Sequence, residues 1–385
     1  MRLLTILDSV VRYGSENHML CVACGLVGYG VDVHAAFPCA AGTVSMIRDC
    51  KAAGVSYWPF ELTRRFGPLP RRWSVSSNLQ MLRLLRAVRP DVVQITACWP
   101  TQVWPAAWAC ALCNIPLLAV FQLASKKVSL PWLNLKLLTW ARRRRQRWMA
   151  VSRQNLGALQ ETFGTGRDEI GVLYNGVEIG PGMDVPNDSE TKALRQEVRA
   201  ELDIPFDARM LLTTARLEEQ KGHIDLLQIV PRIIDEFPST IFVWAGDGDE
   251  RHVLQKEVQK QSLQRHVRLL GYRADVSRLL RASDLFIFPS RFEGGCSAAI
   301  REAMVHALPI VCSDAGGITE IVNNGTHALV FPVRDIEGML VQLRTALNSP
   351  AKMRALSDQA RQRILEFSSD RMVDSYYAIL TQLLS

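Results

Sequence analysis

The chain has 385 residues, 48% of them hydrophobic and 22% charged, a balance that excludes a largely disordered protein and leaves room for two domains. Its net charge of +7 is uneven: residues 1–178 hold 21 lysines and arginines against 10 acidic residues, whereas residues 179–385 hold 24 against 28. The first half therefore favours an anionic or membrane-surface partner; no nucleic-acid recognition motif accompanies its basic residues, so nucleic acid is not expected.

In chain order, short apolar runs at 3–7, 31–37, 55–60, 91–96, 116–121, 148–152 and 170–174 read as strands separated by helical patterns. No secretory leader is expected ahead of the first strand. Val92–Ser125 carries no charge, but Pro100, Pro105, Asn114 and Pro116 interrupt it. A buried strand, helix and strand explain it better than a membrane span. Nine cysteines are scattered along the chain. Cys21-x-x-Cys24 and Cys110-x-x-Cys113 lie in apolar helical patterns without further ligands at zinc spacing, so free thiols in a reducing cytoplasm are expected. Within Lys126–Arg153, the cations Lys126, Lys127, Lys136, Arg142, Arg143, Arg144, Arg145 and Arg147 are interleaved with Trp132, Trp140 and Trp148. Two readings stay open there. One is a peripheral contact with an anionic membrane surface. The other is a solvated basic helix end whose tryptophans pack in the core.

The Gly-, Pro- and Asn-rich segment 175–190 reads as a linker, dividing the chain into domains 1–178 and 179–365 and a final helix over 366–385. Further strands are expected at 211–215, 240–245, 267–270, 284–290, 309–313 and 328–331. Between the first two of these, Leu226, Leu227, Val230, Ile233, Ile234 and Phe237 mark one helix face. Such alternation predicts an α/β protein of two doubly wound parallel sheets, with ligands bound beyond the carboxyl ends of the strands, in a cleft between the domains.

Two motifs fall at such ends. In ARLEEQKGHIDLL (215–227), Arg216 and Lys221 follow a strand and precede a helix. A planar guanidinium and a compact ammonium there suit a diphosphate, although two ordinary surface cations would read the same. In PSRFEGGCSAAIREAM (289–304), a strand runs into a glycine-bearing loop and then a helix expected from near Ser297, burying Ala299, Ile300, Ala303, Met304 and Ala307. Gly294 and Gly295 would let backbone amides approach a phosphate or sugar, and a helix start is an anion site. Glu293 and Glu302 suit polyol hydroxyls. Asp247-Gly248-Asp249 follows a strand and is not read as a metal site, so no metal is expected.

Taken together, NGVE (175–178), ARLEEQKG (215–222), AGDGDE (245–250), HVRLLGYRADVSRLLRASDLFIFPS (266–290), EGGCSAAIREAM (293–304) and SDAGGITEIV (313–322) resemble, in order and spacing, the donor domain of family 4 of the retaining glycosyltransferases, which have the GT-B fold. The resemblance implies transfer of a sugar from a nucleotide-diphosphate sugar, UDP ahead of GDP, to a glycan or glycolipid acceptor, with no cofactor required. It implies Arg216 and Lys221 on the diphosphate, Glu293 facing the donor sugar, Gly294, Gly295, Cys296 and Ser297 lining the donor, and Glu302 on the ribose. Gly271, Tyr272 and Arg273 would flank the nucleobase, and the final helix would cross back onto the first domain. Eight residues separate the two glutamates here, where the family usually has seven.

The N-terminal half, 1–178, resembles the family's acceptor-binding domain more faintly, through the Gly-x-Glu loop and helix of segment 13–33; Gly14 would pass near the donor phosphates. Gln94 and Gln122 stand near points where the family often carries histidine, and His18 reads as a packing residue. Two alternatives remain: a nucleotide-sugar-binding protein without transferase activity and a nucleotide-sugar epimerase. A dinucleotide dehydrogenase lacks its Gly-x-Gly-x-x-Gly signature.

Overall fold

The computed structural model describes residues 1–61, 75–124, 128–166, 168–179, 188–295 and 297–385. Lys126, Lys127, Cys296 and the middle of the expected linker lie outside them. The chain divides into two compact units, Met1–Glu178 with Phe367–Ser385, and Ile179–Glu366.

In the first unit the strands are β1 (Arg2–Leu7), β2 (Asp32–Phe37), β3 (Ser56–Pro59), β4 (Val92–Ala97), β5 (Leu117–Phe121), β6 (Gln146–Ala150) and β7 (Gly171–Val172). They form one sheet in the order β3-β2-β1-β4-β5-β6-β7, with every pairing parallel. The helices are α1 (Gly14–Val27), α2 (Val44–Ala52), α3 (Val75–Val88), α4 (Trp104–Cys113), α5 (Trp132–Arg142) and α6 (Arg153–Phe163). A parallel strand buried on both faces needs apolar residues without alternation. β4 and β5 follow that rule, and their side chains divide between two cores: Val93, Ile95, Leu117, Ala119 and Phe121 face one, Val92, Leu118 and Val120 the other.

The second unit has β8 (Arg209–Thr214), β9 (Thr240–Ala245), β10 (Val267–Gly271), β11 (Leu285–Phe288), β12 (Ile310–Ser313) and β13 (Leu329–Phe331), in the order β10-β9-β8-β11-β12-β13, all parallel. Its helices are α7 (Asp188–Glu201), α8 (His223–Glu236), α9 (Arg251–Lys260), α10 (Val276–Ala282), α11 (Ala298–Val305), α12 (Ile336–Asn348) and α13 (Pro350–Ile364). Leu226, Leu227, Val230 and Ile233 of α8 enter its core, as their spacing predicts, with Ile234 and Phe237 packed against it. Both sheets reverse strand order beside their first strand, at β1/β4 and at β8/β11. A doubly wound sheet opens its ligand crevice at that point.

The last helix, α14 (Ser369–Leu384), belongs to the first unit. His18 of α1 and the Tyr376 hydroxyl share a hydrogen bond of 2.7 Å, both side chains buried. Val373 sits where a Cβ on Gly25 would come within 2.7 Å, so a glycine in α1 admits the helix. His18 is thus a packing residue. Trp148 lies in the core against Phe121 and Phe163, and Trp140 packs on that core. Trp132 does neither and is 69% exposed.

Candidate active site

The sheet reversal at β8/β11 brings two loops together. After β8 the chain runs to Gly222, whose φ of +69° and position leave no room for a side chain: a Cβ would lie 2.2 Å from the Pro289 carbonyl oxygen. Only glycine lets the loop after β8 touch the loop after β11 at this point. The contact is stitched by backbone and side chains. The Arg291 N–H donates to the Gln220 carbonyl at 2.7 Å, and the Gln220 amide donates to the Phe292 carbonyl at 2.8 Å. Arg291 adds a bidentate pair, Nε and Nη2 each 2.8 Å from the two Asp225 oxygens, and its Nη1 reaches Glu219. Fork-on-carboxylate geometry fixes direction as well as distance.

On this frame Lys221 Nζ donates to Glu293 Oε1 at 2.5 Å, and the Ser290 hydroxyl donates to the same oxygen at 2.6 Å. The lysine and glutamate side chains are only 11% and 9% exposed. The Glu293 backbone is pinned as well, because Gly316, at φ +58°, approaches it so closely that a Cβ would lie 2.0 Å from the Glu293 carbonyl oxygen. Held on both sides, Glu293 is fixed beside Lys221. Between Glu293 and α11, Gly294 is buried and Gly295 half-buried.

α11 starts at Ala298 with Ser297 as N-cap, and the serine side chain does not cap it. Ile300, Ala303 and Met304 are buried as expected, whereas Ala299 and Ala307 are only half-buried and Arg301 is buried instead. Glu302 is half-buried on α11; desolvation raises its pKa, with the Arg301 charge opposing. Arg216 leans on its own loop, its guanidinium bonded to the Glu218 carboxylate. The structure therefore joins Lys221 to Glu293, and Arg216 to Glu218. Asp247 accepts from the Gly248 N–H at 2.9 Å and from Arg251. His223, first in α8, is fully buried with its ring edge-on to Trp244 at 5.4 Å; burial and the Lys221 charge push its pKa down to about 3, so it is neutral.

The family model described as Glycosyltransferase Family 4 matches residues 13–180, and that described as Glycosyl transferases group 1 matches residues 195–363. The chain belongs to the family 4 glycosyltransferases. This glycosyltransferase is 25% identical to the glycogen synthase of Mycobacterium tuberculosis over 92% of its own length and 87% of that protein. It is 27% identical to the UDP-Gal:alpha-D-GlcNAc-diphosphoundecaprenol alpha-1,3-galactosyltransferase of Escherichia coli over 54% of its length and 52% of that protein. Among solved structures, HepE of Anabaena, crystallised with UDP and glucose, superposes with a TM-score of 0.80 at 18% identity, covering 98% of both chains. The fold is GT-B, two Rossmann-like domains.

In the glycosyltransferase, Gly271 closes β10 at φ +76° and accepts from the Gly246 N–H at 2.8 Å. Beside it Tyr272 is 72% exposed. The Arg273 guanidinium meets both Asp275 oxygens at 2.7 Å and Glu201 at 2.7 Å, bonds that hold its pKa above the usual value. Gly14 is the first residue of α1 rather than a loop residue, with open space where a Cβ would stand. The neighbouring Glu16 is buried and accepts from the Tyr13 N–H at 2.9 Å, closing the helix start. Gln94 is buried between Thr5 and Thr96, bonding both hydroxyls. Gln122 exchanges bonds with Asn175, the shorter at 2.7 Å. Ser290, Asp225 and Arg291 are the site residues that the sequence reading did not single out. A pair 66 positions apart leaves no local pattern.

Proposed function

We propose that the protein transfers a sugar from a nucleoside diphosphate sugar to a hydroxyl of a glycan or lipid-linked acceptor, with retention of anomeric configuration and without a metal. The observation that carries this is the Lys221–Glu293–Ser290 cluster where the sheet order reverses, beside the uncapped start of α11. Lys221 and Arg216 take the donor diphosphate, and the amides following Gly294 assist them. Glu293 faces the donor sugar, Glu302 accepts from the ribose hydroxyls, and Tyr272 lies along the base. A UDP donor is supported by the E. coli relative's UDP-Gal and by the UDP bound to HepE. A cytoplasmic setting is supported by eight free thiols among the described residues.

As the bond between the anomeric carbon and the diphosphate oxygen breaks, negative charge grows on that oxygen. Lys221, already oriented by Glu293, needs no reorganisation to receive it. The sugar becomes oxocarbenium-like and the acceptor oxygen bonds the same face, while the acceptor proton passes to the departing diphosphate. No protein base is needed. Incubation with UDP- and GDP-hexoses in excess chelator tests the proposal: donor hydrolysis or transfer should persist, with an anomeric NMR signal matching the donor. Folded protein that consumes no nucleotide sugar would remove transferase chemistry, and dependence on a divalent ion would remove the metal-free reading.

A further inference from the structure

A group of exposed large apolar side chains lies on the first unit. α5 buries Leu138 and Ala141 in the core. Its outward stripe carries Trp132, Leu133 and Leu137, which are 69%, 52% and 36% exposed. α4, packed against it, adds Leu112, 51% exposed. A helix that is apolar inward should be polar outward, so three large apolar residues in one outward stripe call for a partner.

The charges beside them are of one sign. From Val92 to Gln160 the chain has no aspartate or glutamate and nine lysines and arginines. Lys136 lies 4.9 Å from the centre of the Trp132 ring, and Arg144 lies 4.5 Å from that of Trp140. Arg143, Arg144 and Arg147 are exposed. Arg142 is not part of this set, because it is bonded to Glu169. A soluble polyanion would account for the cations but not for the exposed Trp132, Leu133 and Leu137. An apolar protein partner would account for those three but not for the run of cations on α5 and the turn after it. Among the described residues no helix is long and apolar enough to cross a membrane, so a contact with lipid here would be interfacial. Basic residues beside Trp and Leu on one helix face match the chemistry of an anionic bilayer surface.

We infer that the outward face of α5 docks on an anionic lipid bilayer, with Trp132, Leu133 and Leu137 entering the interface and Lys136, Arg143 and Arg144 meeting lipid phosphates. The inference stands apart from the transfer reaction and concerns where the enzyme works.

Flotation of the full chain with phosphatidylcholine vesicles, with and without phosphatidylglycerol, tests it. The protein should float only with the anionic vesicles. Combining Arg143→Gln with Arg144→Gln should weaken binding about thirtyfold at low salt, two cations having been removed. Trp132→Ser with Leu133→Ser should abolish the salt-resistant part, and chain-brominated lipid should quench a fraction of fluorescence that Trp132→Phe removes. Donor hydrolysis in solution should stay at the wild-type rate in every variant, which separates failure here from failure of the transferase reading. Absence of flotation by the folded wild type, or equal flotation of both paired variants, overturns the inference. So does polyphosphate binding that survives in a protein indifferent to vesicles.

Discussion

The two units share a sheet order up to an added seventh strand in the first, yet they place different chemistry at the point where that order reverses. In the second unit the ends of β8 and β11 carry ion pairs: Lys221 with Glu293, Arg291 with Asp225, Arg216 with Glu218. In the first unit amides and hydroxyls stand nearest the strand ends, with Gln94 between Thr5 and Thr96, Gln122 on Asn175, and Gln102 on the Asp8 carbonyl, and the Arg12–Asp49 ion pair follows further along the loop after β1. A buried ion pair is an expensive way to hold a loop, because desolvation offsets most of the attraction. Neutral amides fix geometry at lower cost. On the proposed function, nearly buried charge is worth keeping where a donor diphosphate would share it, and a neutral polar floor would suit a partner read by hydroxyl geometry.

The sharpest way to break this contrast is Lys221→Ala. Turnover should fall about 100- to 1,000-fold, the usual cost of losing one preset donor to a developing oxyanion. The melting temperature should fall too, since Glu293 would be left nearly buried without its cation, a change worth about 3 kcal/mol. Adding Glu293→Gln should restore much of the stability and none of the turnover. Near-normal turnover in Lys221→Ala would mean that the charge is structural and that the two units differ only in ornament.

Next in size is Asp225→Asn. Asp225 touches no proposed ligand atom; it holds Arg291, and through it the backbone of the Glu293 loop. Because small misplacements are costly in a preorganised site, turnover should fall about tenfold, with donor KM moving less than kcat. Asp225→Glu should recover part of the rate. A proportional rise in KM with unchanged kcat would instead make Arg291 a binding group.

These residues mark where the sequence is legible and where it is not. The thirteen strands among the described residues all fall on runs legible in the sequence; most are buried on both faces and read as unbroken apolar runs, whereas β3 and β7 are only partly buried. β6 begins at Gln146 rather than at residue 148, because Gln146 and Arg147 pair with β5 while staying outside the core. β7 shrinks to two residues. Lys221 and Glu293 were visible because each sits in a dense local motif. The Arg291–Asp225 clamp was not, and neither was Arg199, a guanidinium 1% exposed and bonded to the Ala208 and Phe206 carbonyls and to Asp284. Periodicity reads any lone arginine on a polar helix as solvated; only the tertiary arrangement supplies the carbonyls that make its burial tolerable.

The smallest expected effect lies in the first unit and carries the other half of the comparison. Gln122→Ala removes one amide from a neutral pair and leaves Asn175, half-buried, to bond water. The loss should be about 1 kcal/mol, seen as a melting temperature lower by a few degrees. Donor hydrolysis without acceptor should stay within about twofold of wild type, since no charge facing a phosphate has changed. Transfer to acceptor should fall further than hydrolysis does, because the amide pair orients the floor beside β5 without stabilising the leaving diphosphate. A drop in donor hydrolysis as deep as that of Lys221→Ala would show the neutral floor acting on the donor after all, and the separation of roles between the units would have to be abandoned.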